Sequence, residues 1–129
     1  MNFRDKMPKY YLVASSIYGV LGMGLGAYMH MTSWKRPIPF HGHLDSLGLL
    51  TLAVVGLTMQ VFPWARRHVL SPLLFVLLQV GTLLMLGGLP IAIFGLTHVL
   101  INVGAVMVPV GIVTFSLIMI SGLKENYDE

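Results

Sequence analysis

Four apolar stretches, each long enough to cross a bilayer and separated by only a few residues, constrain this chain more than anything else in its sequence. A hydrocarbon core of about 30 Å needs about 20 apolar residues per helix, with a range of about 17–25. The stretches run from about residue 10 to 31, 43 to 62, 70 to 94 and 97 to 123. With 56% hydrophobic and 10% charged residues, a water-soluble fold of 129 residues would leave much apolar surface bare. Lipid is the simpler solvent. The expected fold is an all-α integral membrane protein, a single domain over residues 1–129 forming an antiparallel four-transmembrane-helix bundle. Short turns make sequential helices antiparallel neighbours.

The turns carry the orientation signal. Thr32 to Phe40 holds Trp34, Lys35, Arg36, Pro37 and Pro39, and Pro63 to Val69 holds Trp64, Arg66 and Arg67. The third turn follows Pro90 and includes Gly95. Arg4, Lys6, Lys9, Arg66, Arg67 and Lys124 fall on one side, against Lys35 and Arg36 on the other. By the positive-inside rule both termini are cytoplasmic, in a multi-pass protein of the cell inner membrane. The first apolar run is too long for a signal-peptide core and no small-residue cleavage site follows it, so it is expected to stay as helix one. Basic residues clustered between apolar runs read as topology signals and headgroup contacts, not as a nucleic-acid surface. No cysteine is present, which excludes disulfides, thiolate metal sites and cysteine nucleophiles.

This topology gathers unusual residues at the outer end. His30 closes helix one, His41 and His43 open helix two, and His98 opens helix four, while His68 falls on the cytoplasmic side. Asp45, one turn into helix two, is the one acid outside the terminal tails. Ionisable groups at such depth are costly and usually face the bundle interior. Clusters of His with a carboxylate suit metal and heme sites. Headgroup-zone histidines bound to water, and an acid favoured by the helix dipole, are the plain alternative.

Helix phase refines the set. Ser15, Gly19, Gly22, Gly26 and His30 recur at steps of three and four, and Gly22 and Gly26 fit the small-xxx-small pattern. Such a stripe serves close helix packing or the seating of a flat macrocycle. His98 and Asn102 share a face, where the amide could orient a ligand or bond a neighbouring helix. His41 and His43 are directed about 200° apart on a continuous helix, so both could bind one metal only if His41 precedes the helix. His43, fixed by a rigid helix, is the preferred ligand. Gln79, midway along helix three, is expected to make an interhelical hydrogen bond. The Met29-His30-Met31 run invites a copper reading, although Met is also an adaptable filler of membrane helices.

The His41-Gly-His-Leu-Asp45 stretch, followed by Gly48, Gly56 and Phe62-Pro63, resembles helix two of heme-copper oxidase subunit I-like proteins. The length, helix order and His-Leu-acid triplet are also similar to the four-helix membrane isomerases, styrene oxide isomerase and hydroxylaminobenzene mutase. Both resemblances imply heme b, with His43 as an iron ligand. His98, His30 or His41 would then be second ligand or neighbour, and Asp45, Asn102, Gly22 and Gly26 would line the site. The isomerases imply a homo-oligomer with heme between subunits and a small apolar substrate. The chain departs from them in having Leu47-Gly48 where they carry Asn-Gly, and it lacks the aromatic residues of their third helix. Two non-heme readings stand beside this one: a copper- or metal-binding membrane protein using the outer histidines, His30, His41, His43 and His98, with Met29 and Met31, and a structural subunit with a respiratory-chain partner.

Overall fold

The computed structural model describes residues 2–127, with side chains through Lys124. It consists of helices α1 (Phe3–Thr32), α2 (Ile38–Val61), α3 (Pro63–Arg67), α4 (Ser71–Ile93) and α5 (Val99–Tyr127), with no strand among the described residues. All but α3 are long and apolar enough to cross a membrane. The protein is a multi-pass membrane protein of four spanning helices.

Capping explains where the helices outrun the hydropathy pattern. α1 begins at Phe3, not Tyr10, because the Asn2 side-chain oxygen accepts the Asp5 backbone N–H at 3.1 Å. That N-cap satisfies one of the first-turn donors that no helical carbonyl can reach. α2 likewise begins at Ile38, five residues before the expected start. Pro39 does not hold the chain out of the helix, since a proline in the first turn has no partner to lose. His41 and His43 therefore both lie on one continuous helix. α1 ends at Ser33 with φ 56°, and α4 gives way to a turn at Gly95 with φ 77°. Glycine enters that left-handed region without steric cost.

Two helical hairpins form by close backbone approach at glycines. Between α1 and α2, Gly19 lies against Leu49, Gly22 against Asp45 and Leu44, Gly26 against His41, and Tyr11 against Gly56. Residue numbers rise along one helix as they fall along the other, so the pair is antiparallel. Between α4 and α5, Gly81 meets Met107 and Val108, Gly88 meets Leu100 and Ile101, and Gly111 meets Leu78, again in opposite directions. In lipid there is little hydrophobic drive between helices, and van der Waals contact at small residues takes its place.

The ends of the bundle differ. Met7, Tyr11, Leu52, Met59, Leu74, Leu78 and Ile118 form a buried cluster toward the end that carries the N-terminus. There Tyr11 stacks edge-on against Phe75 at 5.2 Å, Arg4 Nη1 donates to the Arg67 carbonyl at 2.5 Å, and Arg66 faces Asp5 at 3.6 Å. At the opposite end Arg36 Nη2 donates to the Ile93 carbonyl at 2.8 Å, and its guanidinium lies 5.5 Å from the centre of the Phe94 ring. The large outward-facing apolar side chains, Met31 and Val20 among them, face where lipid would be.

Candidate functional site

His41 and His43 leave α2 toward different neighbours. His41 turns to α1: its Nδ1 donates to the Gly22 carbonyl at 2.9 Å, and its Nε2 lies 3.6 Å from Asp45 Oδ2. With the Nδ1 proton committed to a carbonyl, Nε2 and the carboxylate attract only when a proton sits on one of them. The other carboxylate oxygen, Asp45 Oδ1, is buried against Gly22 with no hydrogen-bond partner. A Cβ at Gly26 would come within 2.8 Å of the His41 ring. The faces of Gly22 and Gly26 are thus covered by Asp45 and His41, which fill the place a flat macrocycle would take. Of the two uses foreseen for the stripe, helix packing is the one the contacts display.

His43 turns the other way. Its Nδ1 donates to the Pro39 carbonyl one turn earlier, at 2.7 Å. In the neutral ring that bond leaves Nε2 as a free lone pair. The side chain opens onto a cavity of about 220 Å³ lined by His43, Ser46 and Leu47 from α2, Met85 from α4, and Ala105, Val108 and Pro109 from α5. The cavity is therefore the space between the two hairpins, with His43 in its wall.

The local backbone has a feature that no composition or spacing announces. Leu44–Thr51 is wound as a π-helix, and Thr51 Oγ1 donates to the carbonyl of Ser46, five residues back, at 2.9 Å. π segments concentrate at functional sites because the extra residue per turn re-aims the side chains around it. This one lies directly after His43 and contains Asp45, Ser46 and Leu47.

The other candidates are placed apart from this wall. His98 and His30 are exposed, and neither lines the His43 cavity. Asn102 is exposed too, and its backbone N–H donates to the His98 carbonyl at 3.0 Å, the ordinary first-turn bond of α5. Met31 is 81% exposed, pointing out of the bundle beside an exposed His30. Among the described residues no three His, Asp or Glu side chains come together as a metal-ligating group. Gln79 does not make the interhelical bond expected of it through its amide nitrogen, because Nε2 is buried without a partner. His68 sits at the opposite end, where its Nδ1 accepts the Leu70 N–H at 3.1 Å.

Met85, Ala105, Val108 and Pro109 were not among the residues read from the sequence as site-forming. One signal pointed to them. Pro109 lies inside α5 and has no N–H, so the Ala105 carbonyl loses its helical partner. No family model, no curated protein and no solved structure matches this chain.

Proposed function

We propose that this protein is a membrane b-type hemoprotein in which Nε2 of His43 is the iron ligand. The observation that carries the reading is the 2.7 Å bond from His43 Nδ1 to the Pro39 carbonyl. Metal-binding histidines typically donate their second ring nitrogen to such an acceptor, which fixes the tautomer and aims the free nitrogen. The resemblance of His43-Leu44-Asp45 to the heme-binding helix of the oxidase-like and isomerase families supports the same residue. Lys35, in the turn before α2, and Arg36 beyond its bond to Ile93 would supply cationic charge at this end for heme propionates.

The size of the cavity bears on assembly. At about 220 Å³ it is smaller than the roughly 300–1,000 Å³ usual for ligand sites, so it would admit one edge of a porphyrin and not enclose it. A homo-oligomer, with a second copy covering the rest of the ring, follows as part of the proposal. His41 is engaged by Gly22 and Asp45, and His30 and His98 stand exposed, which favours one protein ligand over two. When bound, a heme with an open position supplies a Lewis acid or a site for a small gas. Within that reading the chain's own part is to hold His43 in one tautomer, exclude water with apolar walls, and keep His41 away from the iron.

The same proposal includes the topology that the charge asymmetry favours, with both termini cytoplasmic, the protein in the cell inner membrane and the His43 cavity nearer the outer face. Absorption spectra of the detergent-purified protein, after heme-supplemented expression, test the cofactor. A Soret band is expected, and its absence overturns heme binding. A His43→Ala variant with unchanged heme content and spectrum overturns the ligand. Because the chain has no cysteine, Lys6→Cys and Lys35→Cys can be probed one at a time with an impermeant maleimide. Labelling of the second from outside intact cells is expected, and labelling of the first instead reverses the topology.

A further inference from the structure

The His43 cavity does not stop at Leu47. Directly along the same two helices lies a second cavity of about 290 Å³, lined by Leu50, Thr51, Val54 and Val55 from α2 and by Ile112 and Phe115 from α5. The second lining begins where the first ends, Leu50 after Leu47 on α2 and Ile112 after Pro109 on α5, so the two cavities adjoin as one groove along the seam between the hairpins. From His43 to Val55 this groove follows α2 through the π segment and into the turn beyond it.

Its polarity is graded. The lower part offers one polar side chain, Thr51, whose hydroxyl already donates to the Ser46 carbonyl at 2.9 Å. The upper part holds the His43 ring, the Ser46 hydroxyl and, between the lining residues Ala105 and Pro109, a carbonyl that has lost its helical donor. In hydrocarbon a backbone acceptor without a donor is costly, and beside a membrane proline the freed carbonyl is met by a neighbouring side chain, a water or another hydroxyl. The groove therefore asks for a hydroxyl at one end and for alkyl carbons along the rest.

We propose that this groove takes a single-chain alcohol from the bilayer, with its hydroxyl donating to the Ala105 carbonyl and accepting from Ser46, and its tail lying toward Phe115. The inference deepens the reading of the His43 site by naming the substrate class that reaches it, while the groove itself needs no heme. Entry is lateral, from lipid, so the ligand is selected by chain shape and one hydrogen-bonding head.

The probe is 1-tetradecanol carrying a mid-chain diazirine, photolysed with the protein in nanodiscs, both heme-free and heme-supplemented. Label is expected on peptides containing Val54 and Phe115. At equal mole fraction in the bilayer, unlabelled 1-tetradecanol should compete on the order of five- to ten-fold better than tetradecane, the worth of about one buried hydrogen bond. Pro109→Ala returns an N–H to the Ala105 carbonyl and inserts a good helix former. It should fold at least as stably, keep the label and lose the preference for alcohol. Equal competition by the alkane, a preference that survives in Pro109→Ala, or crosslinking to a second copy of the chain in place of groove peptides overturns the proposal. Label without a Soret band keeps the groove and removes heme, and a Soret band without label does the reverse.

Discussion

The two helical hairpins close by the same device and seat different chemistry. In α1–α2 the glycines receive a carboxylate, an imidazole and two tyrosines as well as leucines, whereas in α4–α5 they receive only Leu, Ile, Val and Met side chains and bare backbone. The second pair is the more intimate: a Cβ at Gly104 would lie 2.7 Å from the Met85 nitrogen and 2.8 Å from the Gly81 carbonyl oxygen. In the first pair the nearest atoms over Gly22 and Gly26 are the far ends of the Asp45 and His41 side chains, with Leu44 Cβ 3.2 Å from a Cβ at Gly22. Glycine spacing therefore reports how near two helices come, and says nothing of what lies between them. The polar hairpin is also the one with the π segment, and its outer wall carries His43.

The largest effect is expected where backbone meets backbone. Gly104→Val should cost about 3 kcal/mol or more, since overpacking that must move main chain lies at the top of the usual range. No truncation of a facing side chain should restore it. Gly22→Ala is expected to cost less, about 1–2 kcal/mol, because the Asp45 carboxyl group can turn aside. Pairing it with Asp45→Ala should recover most of the loss. Unfolding midpoints in mixed micelles measure both. A Gly104 variant rescued by trimming Met85, or a Gly22 variant that Asp45→Ala leaves unrescued, would erase the distinction between the hairpins.

Smaller still is the cost of removing His41. Its bond to the Gly22 carbonyl supplements a carbonyl already within a helix, and hydrogen bonds between membrane helices average about 0.6 kcal/mol with a maximum of about 1.7. His41→Ala should fall in that interval and should leave the heme spectrum in place. A cycle with Asp45→Ala would show whether Asp45 acts through His41 or through its own contact with Gly22. A loss of heme in His41→Ala with stability unchanged would exchange the roles assigned to the two histidines.

The spans were legible because hydropathy is a solvent signal, and the solvent here is lipid. The starts of the last two were legible as well, to within two residues, but those of the first two were not, because α1 is begun by Asn2 and α2 by Pro37 and Pro39, outside the apolar runs. Helix phase alone separated His41 from His43, and the structure sends them to α1 and to the α4–α5 pair respectively. The glycine stripe was legible as a close-contact face. What was hidden is that Asp45 and His41 would fill it, since partners across helices depend on register and register has no mark in a single sequence. The π segment left no trace in composition either. The Pro109 signal was present, as a proline deep in an apolar span, and it gains meaning only once Ala105 is seen beside Ser46 and His43.

The smallest stability change should come from His43→Ala, and that is what makes the variant informative. The ring bonds only to the Pro39 carbonyl of its own helix among protein groups and otherwise borders open space. Its removal exposes no buried donor and opens a cavity that is already open, so a cost under about 1 kcal/mol is expected. A structural histidine behaves like His41, with a stability loss and an unchanged spectrum, and a liganding one does the opposite. If His43→Ala unfolds the protein as readily as Gly22→Ala, the outer wall of α2 is part of the packing. The polar hairpin would then have no face left over for a ligand.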